Sequence, residues 1–402
     1  VFPEGFDSVA IRAQRCCGKV CCASRLQQMR RCQQLLTRRW HSSVLDTIGN
    51  TPLIEFPTLS RFTGATILAK CEHLNPGGSV KDRAAKWIVE AAERDGVLRA
   101  GDTIVEGGGG NTAIGLALVA AAKGYKAVMT MPEGTSVEKR RAVELYGAEV
   151  VLAPAVPFTD ERHYFHAAVR IARERERHTF TNQFENLANS QAHYESTAPE
   201  LWEETAGTID GFICSCGTGG SISGVASRLK ELNPNVQCWI IDPPASGLLP
   251  LIQQGQSYEI TATSPSSGLT RFPTDDVVRT IARSAGTAPA FEGIGIDRVT
   301  GNFARAFDAG LIDGALGGNS REAVEMAYYL KHVEGVALGA SAALNVVGAV
   351  KLAKRLGPGS VVATLLCDGA ERYASKLLAR EWLEANDLVP TSGAGPEHFL
   401  DV

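Results

Sequence analysis

The sequence predicts an α/β protein of two lobes, each built on a mainly parallel, doubly wound sheet flanked by helices. Three observations carry that expectation. Short β-type runs alternate with helical stretches, the pattern of parallel strands joined by crossover helices. Glycine-rich loops at 106–113 and 216–221 stand where a strand hands over to a helix. The chain has 402 residues, beyond the size at which a single hydrophobic core keeps growing.

In chain order, 66–71, 103–106, 127–131 and 149–153 read as strands, with helices at 79–95, 112–123 and 136–146 between them. The first helix shows the reason: Val80, Ala84, Ile88 and Ala91 or Ala92 recur at helical spacing as a buried stripe, with Ser79 as N-cap. A second set has strands near 211–216, 236–241 and 361–367 and helices after Ser221, Ser320 and Ser341. The smaller lobe is expected over about 84–187 and the larger over about 44–83 plus 188–388, together a catalytic core of 44–388. Segment 257–291, rich in Ser, Thr, Pro and Ala, reads as a surface excursion, and 389–402 as a flexible tail.

A net charge of -4 gives no field that would gather nucleic acid or an acidic membrane surface. No apolar run approaches the length of a membrane span. Five of the ten cysteines, Cys16, Cys17, Cys21, Cys22 and Cys32, fall at the start of the chain, which is not a disulfide framework. No His or Cys pair at finger spacing follows them, so no metal site is expected. From Ser8 to Ser43 there is no acidic residue, while Arg12, Arg15, Lys19, Arg25, Arg30, Arg31, Arg38 and Arg39 are interspersed with small and apolar residues. A basic, acid-free segment over 1–43 predicts a mitochondrial transit peptide and a matrix location; a disordered basic leader is the alternative.

The chemistry concentrates at one lysine and three glycine loops. In Asn75-Pro76-Gly77-Gly78-Ser79-Val80-Lys81-Asp82-Arg83 the glycines allow close backbone approach, and Lys81 falls in the first turn of a helix. The positive end of the helix dipole disfavours a cation there, which suits an amine used as a nucleophile toward a carbonyl cofactor. Gly217, Thr218, Gly219, Gly220 and Ser221, between an apolar strand and a helix, offer free amides and hydroxyls to a phosphate dianion, and the missing Gly-Lys-Ser/Thr excludes a P-loop. A loop at 106–113 contains Gly108, Gly109, Gly110, Asn111 and Thr112; with Ala113, and Glu133 further on, it also satisfies a dinucleotide fingerprint, the rival reading of a nicotinamide or flavin oxidoreductase. That rival leaves Lys81 and the 216–221 loop without a task. The third loop, Gly339-Ala340-Ser341, opens another helix.

These motifs in this order resemble the pyridoxal-phosphate enzymes of the cysteine synthase family, with 47–53, 182–186 and 371–373 also matching. The resemblance implies the fold of the tryptophan synthase β-subunit-like (fold type II) enzymes. It implies pyridoxal 5'-phosphate held covalently by Lys81, Asn111 at the cofactor's 3-hydroxyl, Gly217 to Ser221 around its phosphate and Ser341 at its ring nitrogen. A neutral hydroxyl there leaves the nitrogen unprotonated, which favours β-elimination over transamination. The implied reaction makes L-cysteine from O-acetyl-L-serine and sulfide through an aminoacrylate, with Gly108, Gly109, Gly110, Thr112 and Gln183 on the substrate. A homodimer is implied, and in some relatives a serine acetyltransferase tail docks in the site.

The chain departs from the family where hydroxyl side chains normally grip the substrate carboxylate, at Gly108 and Gly109. Hydrogen bonds to a charged group contribute about 1.5–3 kcal/mol each, so an altered amino-acid pocket is expected. A cystathionine β-synthase-type or other β-substituted amino acid activity, and an idle regulatory paralogue, are the alternatives.

Overall fold

A computed structural model of the chain describes residues 40–263, 277–281, 287–296, 298–391 and 393–400. The expected leader lies outside the described residues except for 40–43. The chain divides into two compact units, 1–46 and 47–402. In the first, the Ser42 and Ser43 amides donate to Asp46.

The second unit carries the sheets. Its described strands are β1 (Leu53–Glu55), β2 (Thr66–Lys70), β3 (Thr103–Gly107), β4 (Lys126–Pro132), β5 (Glu149–Ala153), β6 (His178–Phe180), β7 (Gly211–Ser215), β8 (Gln237–Asp242), β9 (Glu259–Thr263), β10 (Val277–Thr280), β11 (Arg298–Val299), β12 (Gly314–Gly317) and β13 (Val361–Leu365). A four-stranded sheet has the order β5-β4-β3-β6 and is parallel throughout. A six-stranded sheet has the order β1-β2-β13-β7-β8-β12, parallel except for β1 at its edge. Every residue of β3 is buried, as expected of a strand covered by helices on both faces. The Ala340–Leu356 helix is buried from Ala340 through Val350 against β7 and β13.

The sheets match the expected alternation, and the differences have local causes. Strands β1, β6 and β12 are three or four residues long, too short to show a period. The first long helix spans Lys81–Arg94 rather than starting at Ser79, because Ser79 forms an isolated bridge with Asp368 while its hydroxyl accepts from the Lys81 N–H at 3.2 Å. Within the expected excursion, β9 and β10 pair antiparallel, and β11 joins them beyond it; 264–276 and 282–286 lie outside the described residues. The expected flexible tail folds back: Thr391 donates to Glu325, the Pro396–Phe399 helix forms, and Leu400 is buried against the core.

A buried ion network fixes the Lys81 helix to the six-stranded sheet. Arg83, 1 % exposed, donates to Glu72, itself fully buried, at 2.8 Å and to Glu200 at 2.6 Å. Lys70 of β2 pairs with Glu200 and Glu204 at 2.9 and 2.7 Å. Removing one member leaves a buried charge without its partner, which costs about 3–5 kcal/mol. Arg83→Ala is therefore expected to lower the denaturant-derived unfolding free energy by about that amount, with Arg83→Met/Glu72→Leu regaining most of it; an unchanged midpoint in the single variant would contradict the network's role.

Candidate active site

The site is assembled around Lys81. Gly78 takes φ +78, and a Cβ there would lie 2.6 Å from Arg372 Nη2. Arg372 closes over the turn, donating through Nη2 to the Gly77 carbonyl and through Nη1 to Asn111 Oδ1. Beneath it the Gly77 N–H donates to Asp82 Oδ2 at 2.5 Å, and burial pushes the Asp82 carboxyl up to about 7. The Asn111–Lys123 helix packs against the Lys81 helix at Gly115, where a Cβ would lie 3.2 Å from the Lys81 carbonyl.

Lys81 opens on a cleft whose lining brings together Gly108, Gly109, Gly110, Asn111, Thr112, Gln183, Gly217, Thr218, Ser221 and Ser341. Of the expected site residues only Gly219 and Gly220 stand back from it, and they shape the loop from behind. Gly219 takes φ +81, with a Cβ there only 2.6 Å from Phe303, and a Cβ on Gly220 would collide with Asn189. The Thr218 hydroxyl accepts from Asn189 at 3.0 Å. Ser221 Oγ lies 3.1 Å from His193 Nε2, and burial holds His193 neutral. The Ser215 hydroxyl, at the end of β7, is buried without a hydrogen-bond partner among the described residues, and Ser215 also lines the cavity. Bare amides at a helix start, two hydroxyls and an orphaned third fit a phosphate dianion.

The loop after β3 explains its own glycines. A Cβ on Gly108 would lie 2.6 Å from Gln183 Nε2, and one on Gly109 3.1 Å from Pro132. Gln183 thus occupies the space of the absent residue-108 side chain, its Oε1 accepting from the Thr112 hydroxyl at 2.5 Å and its Nε2 donating to the Gly107 carbonyl at 3.2 Å. Glu106 anchors this corner by accepting from Thr181 Oγ1 and the Gln183 and Gly107 amides at 2.7, 3.0 and 2.9 Å. Burial outweighs those bonds and pushes its carboxyl up to about 7.

Sequence reasoning missed several site residues. Lys139 lines the cavity with 1 % exposure and pairs with Glu292 at 2.6 Å; Lys376 holds Glu292 from the other side. Glu292 and Gly293 follow directly on the excursion, so that segment borders the site. Asp368 lies fully buried behind Asn111 and Ser341. For Lys139 and Asp368 no spacing signal existed; Glu371-Arg372-Tyr373 marked the neighbourhood of Arg372 only as a motif.

A lysine at a helix mouth, facing a phosphate-fitting glycine loop across a cleft between parallel sheets, defines a pyridoxal-phosphate enzyme. The profile of that family, described as pyridoxal-phosphate dependent enzyme, matches residues 44–368, and the chain belongs to it. Among its relatives are the cysteine synthase of Dictyostelium discoideum, 41% identical over 85% of both chains, and cysteine synthase 1 of Neurospora crassa, 44% identical over 88% of this chain and 86% of that one. The putative mitochondrial cysteine synthase of Saccharomyces cerevisiae is 37% identical over 86% and 85%. A crystal structure of O-ureido-L-serine synthase superposes with a TM-score of 0.71 at 29% identity, covering 89% of this chain and 99% of that one.

The raised Glu106 carboxyl sets a pH dependence. Its folded value of about 7 exceeds the ordinary 4.5, so its protonated form favours the folded state, fully below about 4.5 and less as pH rises through 7. The stability advantage of the parent over Glu106→Gln is expected to shrink across that window in denaturant titrations. An advantage that grows with pH would contradict it.

Proposed function

We propose that this enzyme makes L-cysteine by β-replacement, joining sulfide to the three-carbon unit of O-acetyl-L-serine. The observation that carries the reading is that Lys81 lines one cleft with Gly217, Thr218 and Ser221, and with Asn111, Thr112 and Gln183. The names of the relatives support the choice of reaction.

Lys81 would hold the cofactor covalently, the Gly217 to Ser221 amides and hydroxyls its phosphate, and Asn111 and Ser341 its ring. When bound, pyridoxal phosphate withdraws electrons from the substrate's α-carbon and so weakens its bonds. The amine of Lys81 would take the substrate's α-proton as general base. Lys139, the second amine on the cavity, is engaged by Glu292. The substrate carboxylate would be oriented by the amides at the start of the Asn111–Lys123 helix and by the second N–H of Gln183 Nε2, with the Thr112 hydroxyl holding Gln183 in place, instead of by hydroxyls at Gly108 and Gly109. Val80, Phe184, Ile294, Ile296 and Leu365 line the rest and exclude water from the reacting centre.

The reading extends to a homodimer, to docking of a serine acetyltransferase tail at the cavity mouth, and to a mitochondrial location given by the basic leader. Lys81→Ala is expected to lower cysteine formation by about 10²–10⁴-fold or more, and borohydride reduction of the parent followed by peptide mass analysis to place the cofactor's mass on the Lys81 peptide. Cysteine formation that survives in the variant would overturn the reading. A reporter fused behind residues 1–43 is expected in mitochondria; a cytosolic reporter would remove that location.

A further inference from the structure

His193 stands behind the 216–221 loop, fully buried, in a single π turn over His193–Thr197. Its close approach depends on Gly224 in the Gly220–Leu232 helix that follows the loop, where a Cβ would lie 2.8 Å from His193 Cβ. Both ring nitrogens are engaged: Nδ1 lies 2.9 Å from Thr197 Oγ1 and Nε2 lies 3.1 Å from Ser221 Oγ. A neutral imidazole carries one ring proton, so one of these contacts is a donation by the ring and the other an acceptance. Which is which decides what Ser221 shows to the cavity.

The Thr197 hydroxyl makes the choice. Thr197 is fully buried, and among the described residues its hydroxyl has no partner other than His193. Thr63 and Thr205 send their hydroxyl protons to the carbonyl four residues back, at 2.9 and 2.7 Å; Thr197 makes no such bond, and its hydroxyl turns to the ring instead. If the ring donated to Thr197 Oγ1, the threonine proton would be buried without an acceptor, which is costly. The arrangement that satisfies every group has Thr197 Oγ1 donating to Nδ1 and Nε2–H donating to Ser221 Oγ. Ser221, already an acceptor from behind, then keeps its own proton for the cavity.

Thr218 is arranged in the same way. Asn189 Nδ2 donates to Thr218 Oγ1 at 3.0 Å and to the Gln183 carbonyl at 2.8 Å. A carbonyl only accepts, so the Asn189 amide is fixed with its nitrogen toward the loop. Asn189 and His193 are four residues apart on one helical segment and share a face of it. We propose that His193 is a positioning residue, held by Thr197 as the Nε2–H tautomer, which makes the Ser221 hydroxyl a donor to the phosphate of the bound cofactor. This rests on the reading that the 216–221 loop takes that phosphate. In the opposite tautomer Ser221 would donate to the ring and turn its lone pairs toward the dianion.

The test is the nitrogen-15 spectrum of the full chain with cofactor bound and its histidine rings labelled, His193 being identified by its through-space contacts with Thr197. In the parent, His193 Nε2 is expected at the protonated, pyrrole-type position and Nδ1 at the bare, pyridine-type one. The reverse assignment overturns the inference, and the parent alone decides this even if a variant fails to fold. The consequence for the phosphate is read by comparing the dissociation constants of pyridoxal 5'-phosphate and of pyridoxal, which lacks the phosphate. His193→Leu is expected to weaken binding of the phosphorylated form by about tenfold, the size of one lost hydrogen bond to a charged group, and to leave that of pyridoxal in place. His193→Gln, whose side-chain amide also donates, is expected to recover part of the loss. Equal weakening of both ligands in folded His193→Leu shows a merely structural role and overturns the inference. A parent that binds pyridoxal 5'-phosphate no more tightly than pyridoxal overturns the reading of the loop itself, and the inference with it.

Discussion

The site depends on one guanidinium. Arg372 reaches from the segment after β13 to the Gly77 carbonyl in the turn before Lys81 and to the Asn111 side chain at the start of a helix of the four-stranded sheet. A planar fork with five donors can bridge acceptors from two directions at once, which an ammonium on a flexible stem does less rigidly. Through it the lysine, the amide that faces the cavity and the segment carrying Asp368 are held in one frame. The glycines of the turn are the condition for it: a side chain at Gly78 would meet the guanidinium, and one at Gly77 the Asp82 carboxylate.

Around that frame the protein buries charge in linked sets. Arg83 and Lys70 share Glu200 below the Lys81 helix, and Lys139 and Lys376 share Glu292 at the cavity. In both sets burial raises the Glu carboxyl while the neighbouring cations lower it, and the cations win. Glu106 and Asp82 have amide and hydroxyl donors as their nearest partners, and for them burial wins. The contrast is a rule of thumb for this interior: a carboxylate with cations against it stays ionised, and one held mainly by neutral donors moves toward its acid form.

Much of this was legible in the chain. β-branched runs such as 149–153 gave strands with the expected bounds, and the parallel arrangement followed from their alternation with amphipathic helices. The lysine and both glycine loops were readable because turns and helix starts constrain residue type locally. What remained hidden depends on distant approach. Gly108 read as a lost hydroxyl, yet Gln183, far along the chain, fills that space and supplies polar contacts of its own. Glu292 stood at the end of a stretch with no period, and Asp368 followed a strand like any loop acid; only the folded chain brings them beside Lys139 and Ser341. Strands of three residues, such as β1 and β6, have no pattern to read, since pairing with a longer neighbour defines them.

In the proposed function the 216–221 loop, and not the glycine loop after β3, would receive the cofactor's phosphate while Lys81 would hold its reactive carbon. A crystal structure of the holoenzyme tests it directly. Phosphate oxygens are expected within hydrogen-bond distance of the amides and hydroxyls of Gly217 to Ser221, with continuous density from the cofactor to Lys81 Nζ. A phosphate seated on the amides of Gly108 to Asn111, or a cofactor bonded to Lys139, would contradict it.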